Sequence, residues 1–118
     1  MPNLKALIAS LFTLSLLSAC GQSLPDTPDS DALVIDVRTQ QEWGISRISD
    51  AVLIPYDQIS SQIASQTTDL EQPIFLYCRS GNRASHAKRD LERLGYTQVF
   101  NIGSLRDASE YLQRNIER

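Results

Sequence analysis

The stretch Tyr77-Cys78-Arg79-Ser80-Gly81-Asn82-Arg83-Ala84 holds the residues best suited to chemistry. A cysteine closes the apolar run IFLYC, a short turn with one glycine follows, and helical spacing begins at once. Successive backbone N–H groups in such a turn point inward as an anion nest, and the positive end of the following helix reinforces it. A thiolate is stabilised in that setting. The same donors, those of Arg79, Ser80, Gly81, Asn82 and Arg83, can hold an anionic substrate against the sulfur. Arg79, Arg83, Lys88, Arg89 and Arg93 fall within 15 residues, opposed by Asp90 and Glu92, so a basic pocket mouth is expected. The alternative is an inert buried cysteine, common at strand ends. Loop chemistry and basic flank favour a nucleophile acting on a small anion. His86, one turn further on, is placed at the surface or pocket rim, because a pre-formed thiolate needs no general base. Trp43 and Tyr77 are expected in the core or pocket wall.

Positioning that loop requires strands and helices in alternation. Leu33 to Val37 (LVIDV) reads as a strand buried on both faces. Thr39-Gln40-Gln41-Glu42 is a capping box opening a short helix with Trp43. Val52 to Ile54 is a second strand stopped by Pro55, and Ile59 and Ile63 share one face of a helix over 56–64. Ile74 to Cys78 is the third strand. The next helix runs to about Leu94, with Ala84, Ala87, Leu91 and Leu94 at helical spacing and Gly95 as its stop. Val99 to Ile102 is the fourth strand. Ser104 caps a last helix whose buried stripe is Leu105, Ala108, Leu112 and Ile116. This alternation predicts an α/β domain, a central parallel sheet with helices on both faces. Chemistry in such sheets gathers at the carboxyl ends of the strands, where Asp36 to Arg38 and Cys78 to Arg83 both lie.

The 118 residues include 11 Lys+Arg, 14 Asp+Glu, one His and two Cys. The acidic balance argues against a nucleic-acid partner, and two Cys with one His leave no convincing metal site. The first 20 residues differ from the rest. Lys5 is their only charge, and Ala6 to Leu17 is the apolar core of a signal peptide, too short to span a bilayer. It ends Leu17-Ser18-Ala19-Cys20, which resembles a bacterial lipobox. That resemblance implies cleavage after residue 19, lipid on Cys20 and attachment to a membrane. The expected location is the cell envelope, on the periplasmic side of the outer membrane if the cell has one. Residues 20–30 read as a flexible tether reaching roughly 30 Å at about 3.3 Å per residue. The folded domain is expected over 31–118.

The segments Ile35-Asp36-Val37-Arg38, Glu42-Trp43, Ile48 with Ala51, Ile54-Pro55, Leu76 to Arg83 and Leu94-Gly95-Tyr96 occur in an order that resembles the rhodanese-like sulfurtransferases. The small exported members, including the phage-shock thiosulfate sulfurtransferases, are similar in style. The resemblance implies the three-layer rhodanese fold and no cofactor. It implies that Cys78 takes sulfur from a small anionic donor such as thiosulfate, forming a persulfide that a thiol or cyanide acceptor relieves. It implies that Arg79 and Arg83 stabilise donor and leaving sulfite, while Asp36, with Arg38 beside it, orients the loop. A monomer is expected. Ser46-Arg47 and Asp50 stand where the family usually has Gly-His and Gly, and Ala108 where Trp is common, which bears on substrate preference.

Three rivals are weaker. Phosphatases and arsenate reductases use Cys-x5-Arg loops, whereas Cys78 and Arg83 here enclose four residues. A thioredoxin-type redox protein needs Cys-x-x-Cys. A membrane-tethered persulfide carrier or binding module without thiosulfate turnover differs only in its second half-reaction.

Overall fold

The apolar runs become the strands of one sheet in a computed structural model that describes residues 23–118. Cys20 and the export segment lie outside the described residues. In chain order the elements are β1 (Leu33–Asp36), α1 (Gln40–Ile45), β2 (Arg47–Ile48), β3 (Val52–Leu53), α2 (Ile59–Gln62), β4 (Ile74–Cys78), α3 (Asn82–Arg93), β5 (Val99–Ser104), α4 (Leu105–Leu112) and β6 (Ile116–Glu117). The main sheet is parallel throughout, in the order β3-β1-β4-β5.

β4 sits between β1 and β5, and all five of its residues are fully buried. Its side chains alternate between two cores. Ile74, Leu76 and Cys78 join Ile35, Val37 and the buried residues of α2 and α3. Phe75 and Tyr77 face the other way, with Val34, Ile48, Phe100 and the α4 residues Ala108 and Leu112. Each such large side chain contributes about 1.5–3 kcal/mol through burial. The expected parallel sheet with helices on both faces is thus the observed one.

Local signals also behave as expected. Thr39 and Glu42 form the capping box of α1, and Ser104 and Asp107 form that of α4. Gly95 follows α3 with φ +105°. Asp50, where the resembled family carries Gly, holds φ +65°. Asp is among the few residues that adopt the left-handed region at tolerable cost. The helix expected over 56–64 is broken into α2 between two 3-10 turns, Tyr56–Gln58 and Ile63–Ser65, with Ile59 and Ile63 still buried together.

One expectation needs correction. Ile116 is not on the last helix. Gln113 adopts φ +54° and ends α4, and Ile116 pairs with Ile48 in a small antiparallel ribbon of β2 and β6. Its i+4 spacing from Leu112 mimics a helical stripe. Part of the stretch expected as a tether contacts the domain. The Pro25 carbonyl accepts a hydrogen bond from the half-buried Tyr111 hydroxyl at 2.8 Å, and the Ala32 N–H donates to the Asp29 carbonyl at 3.1 Å. A partly buried phenol needs an acceptor, and this segment supplies one.

Gly103, with φ +91°, is the tightest backbone constraint beside α4. A Cβ added there would lie 2.5 Å from Asp107 Oδ2, the side chain that closes the α4 cap. Gly103→Ala is expected to cost about 2–3 kcal/mol through left-handed strain and loss of the cap. Calorimetry should then show a melting temperature lower by roughly 10 °C or more. An unchanged melting temperature would contradict this account of the turn.

Candidate active site

Cys78 is the last residue of β4, and α3 starts four residues later at Asn82. The chain makes that reversal through Gly81, at φ +92° and ψ −12°. Glycine alone adopts this conformation without steric cost. The turn directs the Gly81 N–H at the sulfur, donating to Cys78 Sγ at 2.9 Å. No side chain caps α3, so the positive end of this twelve-residue helix faces the loop. Ser80 and Asn82 are exposed, and the Asn82 N–H reaches Ser80 Oγ at 3.4 Å. Cys78 is fully enclosed, whereas Arg79 beside it is exposed.

A cavity of about 420 Å³ opens next to Arg79. Arg38, Glu42, Ser46, Ser104 and Arg106 join Arg79 in its polar lining, and Ile45, Leu105 and Ile116 form an apolar wall. The β4–β5 register brings this region to the loop, because Cys78 pairs with Ser104 after a bulge past Leu76 and Asn101.

Asp36 and Arg38 are brought together, but not in the expected way. Asp36 is completely buried, and Arg38 is 5% exposed. Asp36 Oδ1 accepts from the Arg38 backbone N–H and Nε, each at 2.9 Å, and Oδ2 accepts from Nη2 at 2.6 Å. Arg38 Nη2 also donates to the Ser46 carbonyl at 2.6 Å, and its guanidinium lies 5.6 Å from the Tyr77 ring centre. The pair therefore orients the segment between β1 and β2; no hydrogen bond from Asp36 reaches the Cys78 loop. Burial disfavours the Arg38 charge, but Asp36 more than offsets this and its pKa is raised. Removing one partner of such a buried pair is far costlier than the pair is stabilising.

Arg83 also departs from expectation. Its guanidinium is turned onto Glu42, with Nη1–Oε1 2.8 Å and Nη2–Oε2 3.0 Å. This fork ties the start of α3 to α1 across the site. Glu42 was legible only as a helix cap, since nothing in T-x-x-E points to a partner 41 residues away. The remaining basic flank is largely paired along α3, Lys88 with Glu92 and Arg93 with Asp90. Arg89 meets His86 at 3.0 Å on the exposed face. Arg79 and Arg89 have no carboxylate partner among the described residues, and of the five flank cations Arg79 alone lines the cavity.

Comparison with known proteins agrees with this geometry. Residues 22–116 match the family described as the rhodanese-like domain. The chain is 33% identical over 73 residues to the thiosulfate sulfurtransferase PspE of Escherichia coli, covering 62% of this chain and 70% of that protein. It is 35% identical over 81 residues to a sulfurtransferase of Allochromatium vinosum, covering 69% and 72%. A solved structure described as rhodanese with anions from E. coli superposes with a TM-score of 0.62 at 32% identity, covering 64% of this chain and 89% of that one.

The fork to Arg83, together with the Thr39 N–H, holds the Glu42 carboxyl down at about 2 against an ordinary 4.5. A lowered carboxyl stabilises the fold above its unfolded pKa and loses that contribution as pH falls through the folded one. Glu42→Gln should therefore cost about 1–2 kcal/mol near neutral pH, discounted because water reaches a quarter of each side chain. The difference from wild type should shrink from about pH 4.5 downward and vanish near pH 2. Urea titrations across that range test it, and a pH-independent difference would contradict it.

Proposed function

This chain belongs to the rhodanese-like family, and from that premise we propose a sulfurtransferase that moves sulfane sulfur from thiosulfate to a thiol or cyanide. The Gly81 N–H donated to Cys78 Sγ is the observation that carries the reading. It means that negative charge on the sulfur meets a fixed donor and a helix N-terminus before any substrate arrives.

In the first half-reaction the Cys78 thiolate attacks the outer sulfur of thiosulfate. The S–S bond of the donor breaks, sulfite leaves with its electron pair, and a Cys78 persulfide remains. Arg79 is the cation placed to attract the dianionic donor and steady the departing sulfite. The loop of Ser80, Gly81, Asn82 and Arg83 is the proposed cradle for the anion, with the Gly81 N–H already on the sulfur. In the second half-reaction the acceptor attacks the outer sulfur of the persulfide and the Cys78 thiolate departs. A thiolate acceptor leaves as a persulfide and cyanide as thiocyanate. The two steps make a ping-pong cycle that needs no cofactor. Four residues between Cys78 and Arg83, rather than five, support a sulfur donor over a phosphate ester.

Adding thiosulfate to the purified domain and recording an intact mass tests the chemistry. One sulfur atom should be gained by the wild type and none by Cys78→Ser. No gain with thiosulfate, mercaptopyruvate or polysulfide would refute it.

The location is likewise proposed. Leu17-Ser18-Ala19-Cys20 supports lipid on Cys20 and a domain held at the envelope, on the periplasmic side of the outer membrane in a Gram-negative cell. Cells fed labelled palmitate should label the wild type and not Cys20→Ser. Label persisting in that variant would overturn the anchor.

A further inference from the structure

Asn101 is a polar residue in the middle of β5, between Phe100 and Ile102. Strand alternation puts its side chain on the same face as Val99, the face covered by α3. A polar group there needs partners, and it has three. Asn101 Nδ2 donates to the Gly81 carbonyl at 2.8 Å and lies 3.0 Å from Ser85 Oγ. Its Oδ1 accepts from the Gly103 N–H at 2.9 Å. The Gly81 carbonyl also accepts from the Ser85 N–H at 3.0 Å and from Ser85 Oγ at 3.2 Å.

The Gly81 carbonyl belongs to the peptide plane after the one whose N–H bonds the sulfur. Both planes pivot on the Gly81 α-carbon, which has no side chain to restrict it. Fixing the carbonyl from β5 therefore fixes one of the two torsions that decide where the loop's donors point. A Cβ at Gly81 would lie 3.6 Å from the Gly103 α-carbon and 3.7 Å from Asn101 Oδ1, so β5 packs closely over the loop.

We propose that Asn101 is a positioning residue for the Cys78 sulfur, holding the Gly81 carbonyl so that the Gly81 N–H stays directed at Sγ. Asn101 acts through Gly81 and touches neither donor nor acceptor. Its catalytic relevance rests on the reading of Cys78 as the nucleophile, but the geometric claim is measurable without any turnover.

The test is a double-mutant cycle read by amide hydrogen exchange at Gly81, followed by NMR on the thiosulfate-free domain. Cys78→Ala removes the acceptor and should speed Gly81 exchange by about tenfold, the effect of one lost hydrogen bond. Asn101→Asp keeps the acceptor for Gly103 but loses both donors. It should speed Gly81 exchange to a similar extent, leave Gly103 protected, and leave Ile35 and Leu76 at wild-type rates. In the Asn101→Asp background, adding Cys78→Ala should then change Gly81 exchange less than twofold, because the bond is already lost. A merely structural residue would instead speed all core amides together, and that result overturns the proposal. Wild-type Gly81 exchange in folded Asn101→Asp, or fully additive effects, also overturns it. If Asn101→Asp does not fold, Asn101→Ser decides, since it removes the same amide donors without burying a charge: Gly81 exchange should speed to a similar extent, and no change overturns the proposal. Failure of sulfur loading on wild-type Cys78 would instead refute the proposed function and leave the exchange result standing.

Discussion

The site depends on one backbone reversal, the passage from the end of β4 to the start of α3 through a left-handed glycine. A strand buried on both faces delivers Cys78 to a fixed place, and a helix must start within four residues to keep its positive end near the sulfur. Gly81 satisfies both demands, and its N–H meets Cys78 Sγ at 2.9 Å as a consequence. The β4 core on one side and the apolar face of α3 on the other leave the turn little freedom. Rigidity in the core thus becomes direction in a few hydrogen-bond donors.

Two ion pairs hold the surroundings, and they work differently. Asp36 and Arg38 are buried and local, and they fold the segment after β1 onto the Ser46 carbonyl. Glu42 and Arg83 are partly exposed and distant in sequence, and they join the starts of α1 and α3. Both pairs satisfy charges beside the cavity, and Arg79, the residue after Cys78, lines it with no carboxylate partner among the described residues. The acidic average of the chain therefore coexists with a cavity lined by Arg38, Arg79 and Arg106.

Elements with local causes were legible in the sequence. IFLYC, with a glycine turn after it, read as a buried strand leading to a helix, and the Thr39 capping box and the capped start at Ser104 marked two helix starts. Contacts between distant positions were not legible. Glu42 already had a local role as a cap, which hid its pairing with Arg83. Asp36 was expected to orient the cysteine loop, but its carboxylate accepts its hydrogen bonds from Arg38. Ile116 continued a helical spacing that the left-handed Gln113 had already ended. Asn101 did leave a signal, since a lone amide inside the apolar run VFNI, in phase with Val99, must bond something inside. Its partner could be found only with the fold in hand.

The central claim is that Cys78 is a covalent relay with two separable half-reactions. The most direct measurement is sulfite released on mixing the domain with excess thiosulfate in the absence of any acceptor. One equivalent of sulfite per Cys78, released in a single phase that then stops, is the predicted result. No release, or continuous release without an acceptor, would contradict it.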